Sequence, residues 1–385
     1  MSARARLCAT IPALMSSSQA GPPDIAGLPG RRILVQRSDE EIVVQALDDA
    51  FVARPEASVV RFPAPWPRRR GTWEVAPDVS VAVFAGVHAV RAVEPSGATR
   101  WEVRHGCWYG ACQEIHESYD EYADRQDHRY PDGGSVGFSL DGKLVWAHVR
   151  GPLPEGELNP DTVDEWLVLD AENGRVLARV NAEAAAAGSF HLAHPTDPHQ
   201  MGLSIGEGQD GAPLRWGRWD GQKLDVDYLE GDLCLLSVSP SGERLMTVSH
   251  DQDSLAVRDS RGAVVEGLEW DAESVIPRHS DAPSGDDDEV PVYWDWAGGF
   301  VDEGTLLVST VECDEEWGQS RHWLFDTSGT NGLVPVAYPT PVSCQPTALG
   351  NGAWLTLSES RDALHVWVLH TPEDCCTRRV LRRLW

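Results

Sequence analysis

The sequence predicts an all-β fold of repeated antiparallel sheets, and three observations carry that expectation. Glycine (35) and proline (26) punctuate the whole 385-residue chain, which suits many short strands joined by tight turns. Sixteen tryptophans against seven phenylalanines and seven tyrosines supply large rigid side chains, as wedges between packed sheets would. A unit also recurs: an alternating apolar strand, a polar turn closed by Gly, then a second strand.

The copies follow one another along the chain. Residues 90–97 turn at Gly97 and lead into 100–103; residues 166–174 turn at Gly174 and lead into 176–178. Residues 214–220 turn at Gly221, and 255–262 turn at Gly262 before Val264 and Val265. Residues 323–329 and the weaker 364–369 complete the series. The acidic residues before these turns, Glu94, Asp170, Asp220, Asp259 and Asp326, stand 76, 50, 39 and 67 residues apart. The wide gaps contain two polar excursions, 106–134 and 271–290, and without them each spacing comes near the roughly 40–50 residues of a four-stranded blade. A second landmark precedes most copies: the turns at 76–78, 139–142, 239–242, 301–304 and 349–352, each between two apolar strands. Two landmarks in fixed order define a β-propeller of four-stranded antiparallel blades.

Trp219-Asp220 ends a strand before its turn, and Asp170, Asp259 and Asp326 hold the same place. From Gly71 onward the pattern resembles the WD40-like β-propeller class, although no Gly-His dipeptide opens its blades. The resemblance implies a module that binds partners through loops on a propeller face. Residues 31–63 decide the blade count. Ile33-Leu34-Val35 and Val59-Val60-Arg61-Phe62 read as strands, whereas Ser38-Asp39-Glu40-Glu41 spells a capping box before a helical stripe of Ile42, Val43, Ala46, Leu47 and Phe51. A helix there would cap six blades; a hairpin, which we favour, gives seven. Residues 1–28 are expected to be a disordered extension or a stretch upstream of the true start, with 29–385 forming the single propeller domain. The apolar run 7–15 is short and interrupted by Thr10 and Pro12, unlike an export leader, so a cytoplasmic location is expected.

A net charge of −28 argues against nucleic acid and anionic membrane surfaces. No stretch approaches the ~20 apolar residues of a membrane span. Eight scattered cysteines, among them the adjacent Cys375 and Cys376, read as reduced thiols in a domain too large to need staples.

Two groups of residues could carry chemistry. In the first excursion, His105, Cys107, Cys112 and His116 offer imidazole and thiolate, the donors that Zn²⁺ prefers. No cofactor is otherwise expected. In the second group, His191, His194 and His199 precede Glu207 and Asp210, a ligand-binding set that could instead hold the metal of a hydrolase or lyase at the propeller mouth. The same stretch spells Gly202-x-Ser204-x-Gly206 and Gly206-x-Gly208-x-x-Gly211, but each motif needs a helix next, and Ala212-Pro213-Leu214 begins a strand instead. The acidic loop 281–289 lacks the ligand spacing of a Ca²⁺ loop and reads as a solvated excursion. The expected function is a monomeric binding module for a protein, peptide or small molecule, rather than an enzyme.

Overall fold

A computed structural model describes residues 2–52, 59–112, 114–151, 163–278, 291–312, 321–328, 332–342 and 345–369. The acidic loop 281–289 and the Cys375-Cys376 pair lie outside the described residues. The strands in chain order are β1 (Ala3–Pro12), β2 (Asp24–Ala26), β3 (Ile33–Arg37), β4 (Glu41–Ala46), β5 (Val60–Pro63), β6 (Gly71–Val75), β7 (Ala82–Gly86), β8 (Ala89–Val93) and β9 (Thr99–Arg104). Next come β10 (Ser135–Phe138), β11 (Leu144–Arg150), β12 (Asp164–Asp170), β13 (Val176–Asn181), β14 (Gly188–Ala193), β15 (Gln200–Gly206), β16 (Leu214–Trp219) and β17 (Leu224–Leu229). The series ends with β18 (Leu233–Val238), β19 (Arg244–Ser249), β20 (Ser254–Asp259), β21 (Val264–Asp271), β22 (Val292–Phe300), β23 (Thr305–Glu312), β24 (Arg321–Asp326), β25 (Val334–Ala337), β26 (Thr347–Ala348), β27 (Ala353–Leu357) and β28 (Ala363–Leu369).

Five four-stranded sheets follow the chain, β2–β5, β6–β9, β10–β13, β14–β17 and β18–β21. The other eight strands form one closed set that divides into two antiparallel runs of four. One is β22–β25; the other is β26, β27 and β28 with β1 as its outer strand. Short parallel pairings join the two runs, Gly298 with Thr347 and Ala3–Arg4 with Val336–Ala337.

Central strands such as β11 and β12 are buried on nearly every residue, because each sheet is covered on both faces. Apolar clusters fill each gap between consecutive units. Val83 and Val90 meet Val145 and Leu167; Leu214 and Trp216 meet Leu233 and Leu245. The cycle closes where Ile11, Leu355 and Leu364 of the last unit meet Ile25 and Leu34 of the first. Both turn landmarks fall where the sequence places them, between the first and second and between the third and fourth strands.

One expectation changes. Residues 2–28 are not a disordered extension: β1 pairs with β28 from Ala5–Leu369 to Pro12–Ala363, and β2 opens the first sheet. The hairpin favoured within residues 31–63 forms, and the capping box at 38–41 does not start a helix. Ser38 Oγ instead accepts the backbone N–H groups of Glu40 and Glu41, at 3.2 and 3.0 Å, and closes the β3–β4 hairpin. Among the described residues no helix is long and apolar enough to cross a membrane.

Candidate functional site

In these sheets the turn between second and third strands lies at the same end as the crossover to the next sheet. The excursion 106–134 is the β9–β10 crossover, so it gathers on that crossover face. Its backbone is tied down at both ends. Gly106 N–H donates to Arg150 O, Trp108 N–H to Val87 O, and Gly133 N–H to Ala187 O, at 2.9, 2.9 and 3.2 Å. Trp108 and Tyr122 are fully buried and give the excursion a small core continuous with the sheets below. The Tyr122 hydroxyl lies 2.7 Å from Nδ1 of His88 in the β7–β8 turn.

Inside the excursion Cys107, Cys112, His116 and His128 converge, their donor atoms all within 4.8 Å of one another. His116 Nε2 lies 3.4 Å from Cys112 Sγ and 3.3 Å from His128 Nε2. Tyr109 and Glu114 each donate a backbone N–H to a cysteine sulfur, at 3.4 Å. Nδ1 of His116 meets Glu121 Oε2 at 3.2 Å, and Nδ1 of His128 meets Asp127 Oδ1 at 3.0 Å. Burial pushes the Cys107 thiol up to about 12. His105 is not part of this group. It is fully buried, its Nδ1 is 2.7 Å from Gly106 O, and burial lowers it to about 4. Sequence reasoning missed His128, whose signal is the acidic neighbour Asp127 beside a buried imidazole.

The second set does not converge. His191 is on β14, its Nε2 accepting from Trp166 Nε1 and its Nδ1 bonded to Ser135 Oγ, both at 2.9 Å. His194 and His199 lie on the β14–β15 turn, where His194 Nδ1 accepts the N–H of Asp197 at 2.9 Å. Glu207 and Asp210 lie beyond the far end of β15, about 20 Å away at ~3.3 Å per residue. Glu207 Oε1 there accepts Ala185 N–H at 2.6 Å. Both glycine motifs fall within β15 and its turn, and Ser204, 2% exposed, accepts Leu235 N–H at 3.3 Å. These residues offer no shared metal position and no nucleophile elbow.

The crossover face carries another feature that sequence reasoning missed. A cavity of about 400 Å³ opens among β14, β15, β18 and β22, walled by Phe190, Ile205, Leu236, His250 and Trp296 among others. Trp296 is 50% exposed and Phe190 45%. Trp296 stands on a bulge, since the β22–β23 register jumps from Trp294–Thr310 to Gly298–Val308. Gly298 and Gly299 make the bulge affordable, with φ of 140° and 145°. A Cβ on Gly298 would sit 2.3 Å from Leu307 O. The indole stacks near His250, ring centroids 6.4 Å apart at 21°. The sequence signal is the Gly-Gly pair interrupting an aromatic strand.

Repeated four-stranded antiparallel sheets packed in a closed cycle define a β-propeller. Solved structures share this fold. Raptor from Chaetomium thermophilum aligns at a TM-score of 0.54 and 10% identity, covering 96% of this chain and 29% of that one. A prolyl endopeptidase structure aligns at 0.53 and 11%, covering 92% of this chain and 51% of that one. The chain thus spans about half the endopeptidase and under a third of Raptor, and the likeness is one of fold. No protein-family model and no curated protein matches the sequence.

Proposed function

We propose that the chain is a binding module of seven blades, five given by the separate sheets and two by the closed eight-stranded set, that receives a basic, apolar-anchored segment of a partner protein at the Trp296 mouth. The observation that carries this reading is an indole held half in solvent by a bulge that glycines make possible. Bulges of this kind re-aim a side chain at functional positions, and exposed aromatics beside a preformed cavity serve as anchors. The surroundings favour a cationic partner. Exposed Asp232 accepts the N–H of the lining residue Ala212, and exposed Asp251 lies 3.8 Å from the lining residue His250, in a chain of net charge −28.

Selection of random peptides on the full chain tests this. Recovered sequences are expected to pair Arg or Lys with an aromatic or aliphatic anchor and to lose affinity as salt rises. Trp296→Ala is expected to weaken such a peptide by about tenfold or more, while Tyr130→Ala, at an exposed site on the excursion, leaves it unchanged. Recovery of no peptides, or equal binding by Trp296→Ala, would overturn the reading.

A further inference from the structure

We infer that Cys107, Cys112, His116 and His128 hold one Zn²⁺ as a closed structural centre that orders the excursion 106–134. A neutral imidazole carries one N–H. Glu121 and Asp127 are acceptors, so they place that hydrogen on Nδ1 of His116 and His128. Both Nε2 atoms are then bare lone pairs, and they face each other at 3.3 Å inside a pocket where both rings are essentially unexposed. Without a cation, two acceptors oppose each other, or one ring must carry a buried charge.

A single divalent ion resolves the conflict. Tetrahedral zinc, with bonds of about 2.0–2.1 Å to nitrogen and 2.3 Å to sulfur, separates two nitrogens by about 3.3 Å and a nitrogen from a sulfur by about 3.6 Å. The two Nε2 atoms stand 3.3 Å apart, and Nε2 of His116 is 3.4 Å from Cys112 Sγ. The carboxylates already orient both imidazoles as outer-sphere partners do, and backbone N–H groups already point at both sulfurs. Two thiolates with two imidazoles select zinc over harder cations. Four protein donors leave no open position, so the centre is structural. Its use is plain from the burial: Trp108 and Tyr122 are the large side chains the excursion buries fully, a small core for a crossover of this length.

The test is elemental analysis of the full chain, followed by replacement of the metal with Co²⁺. One zinc per chain is expected, and the cobalt form is expected to show the intense visible absorption of a tetrahedral site with a thiolate charge-transfer band. Cys112→Ser and His128→Ala should lose stoichiometric metal, Asp127→Asn should bind it about tenfold more weakly, and His105→Ala should keep it. A metal-free chain, zinc retained by His128→Ala, or a weak octahedral cobalt spectrum would overturn the inference. Should the ligand variants fail to fold, chelation of the native chain decides. Zinc removal is expected to open residues 106–134 to protease, reversibly on adding zinc back, and unchanged cleavage after removal would overturn the structural role.

Discussion

Gly217 on β16 shows what single residues do in this molecule. A Cβ there would lie 2.7 Å from both Trp146 and Trp166 of the preceding sheet, so the missing side chain is the slot into which two indoles fit. Gly217→Ala is therefore expected to overpack this interface and cost about 1–3 kcal/mol, read as a lower urea midpoint. Gly188→Ala, where a Cβ would meet nothing within 4 Å, is expected to leave the midpoint nearly unchanged. The tryptophan-rich composition thus announced wedges between sheets correctly, but composition could not say which glycine receives them. Histidines were harder to read. His191 resembles a ligand in linear sequence, yet in the fold it accepts from Trp166 across an inter-sheet gap. His128 is distant from the cysteines in sequence, and a folded excursion returns it to them. Spacing reports local geometry only, and neither outcome was local.

At the scale of elements, the turns were legible because their chemistry is local. Asp220 Oδ1 accepts the N–H groups of Gln222 and Lys223 at 2.8 and 2.7 Å, and Asp259 Oδ1 accepts those of Arg261 and Ala263 at 2.9 and 3.0 Å. Asp170 and Asp326 fold their own turns in the same way, whereas the Glu94 carboxylate meets Arg100 instead. Asp259→Ala removes two such bonds and is expected to cost about 1–2 kcal/mol in a chemical-denaturation curve. β1 was illegible for the opposite reason: its partner β28 begins at Ala363, at the other end of the described chain. Deleting residues 2–12 uncovers the edge of β28 and unseats Ile11 from the core between last and first units. The truncated chain is expected to lose its cooperative melt by circular dichroism and to self-associate on a sizing column. A synthetic peptide of residues 2–14 added in trans should restore both.

Across the whole molecule, acid sensitivity follows from buried imidazoles. Burial lowers His88 and His148 to about 3, His105 and His322 to about 4, and His191 well below its usual value. Unfolded, each takes a proton near pH 6.5. The unfolded chain then binds more protons, so this stabilisation is complete above pH 7 and is lost as pH falls from about 6.5 towards 4, by about 1.4 kcal/mol per group per pH unit. Asp24, Asp164 and Glu74, which desolvation raises to about 6, 6 and 8, oppose the trend in the same window. Burial also lowers His194 and raises Asp132 and Glu165, and the strongly lowered imidazoles still outnumber the strongly raised carboxyls, so urea midpoints are expected to fall between pH 6.5 and 4.5, and His88→Gln should flatten the slope by about one proton. The joint between β1 and β28 also dictates an order of events in synthesis. Until residues 363–369 emerge, roughly 350 residues further on, β1 has only the short pairing of Ala3–Arg4 with β25, because Ala5 waits for Leu369. Closing a loop of that length is slow and entropically costly. The intermediate sheets can pack while this joint stays open, so the nascent protein spends most of its assembly with the edge of β1 exposed. Residues 363–369 act as the latch that ends that exposure, and a chain stalled before them keeps the sheet β26–β27 and its neighbours available to any passing strand.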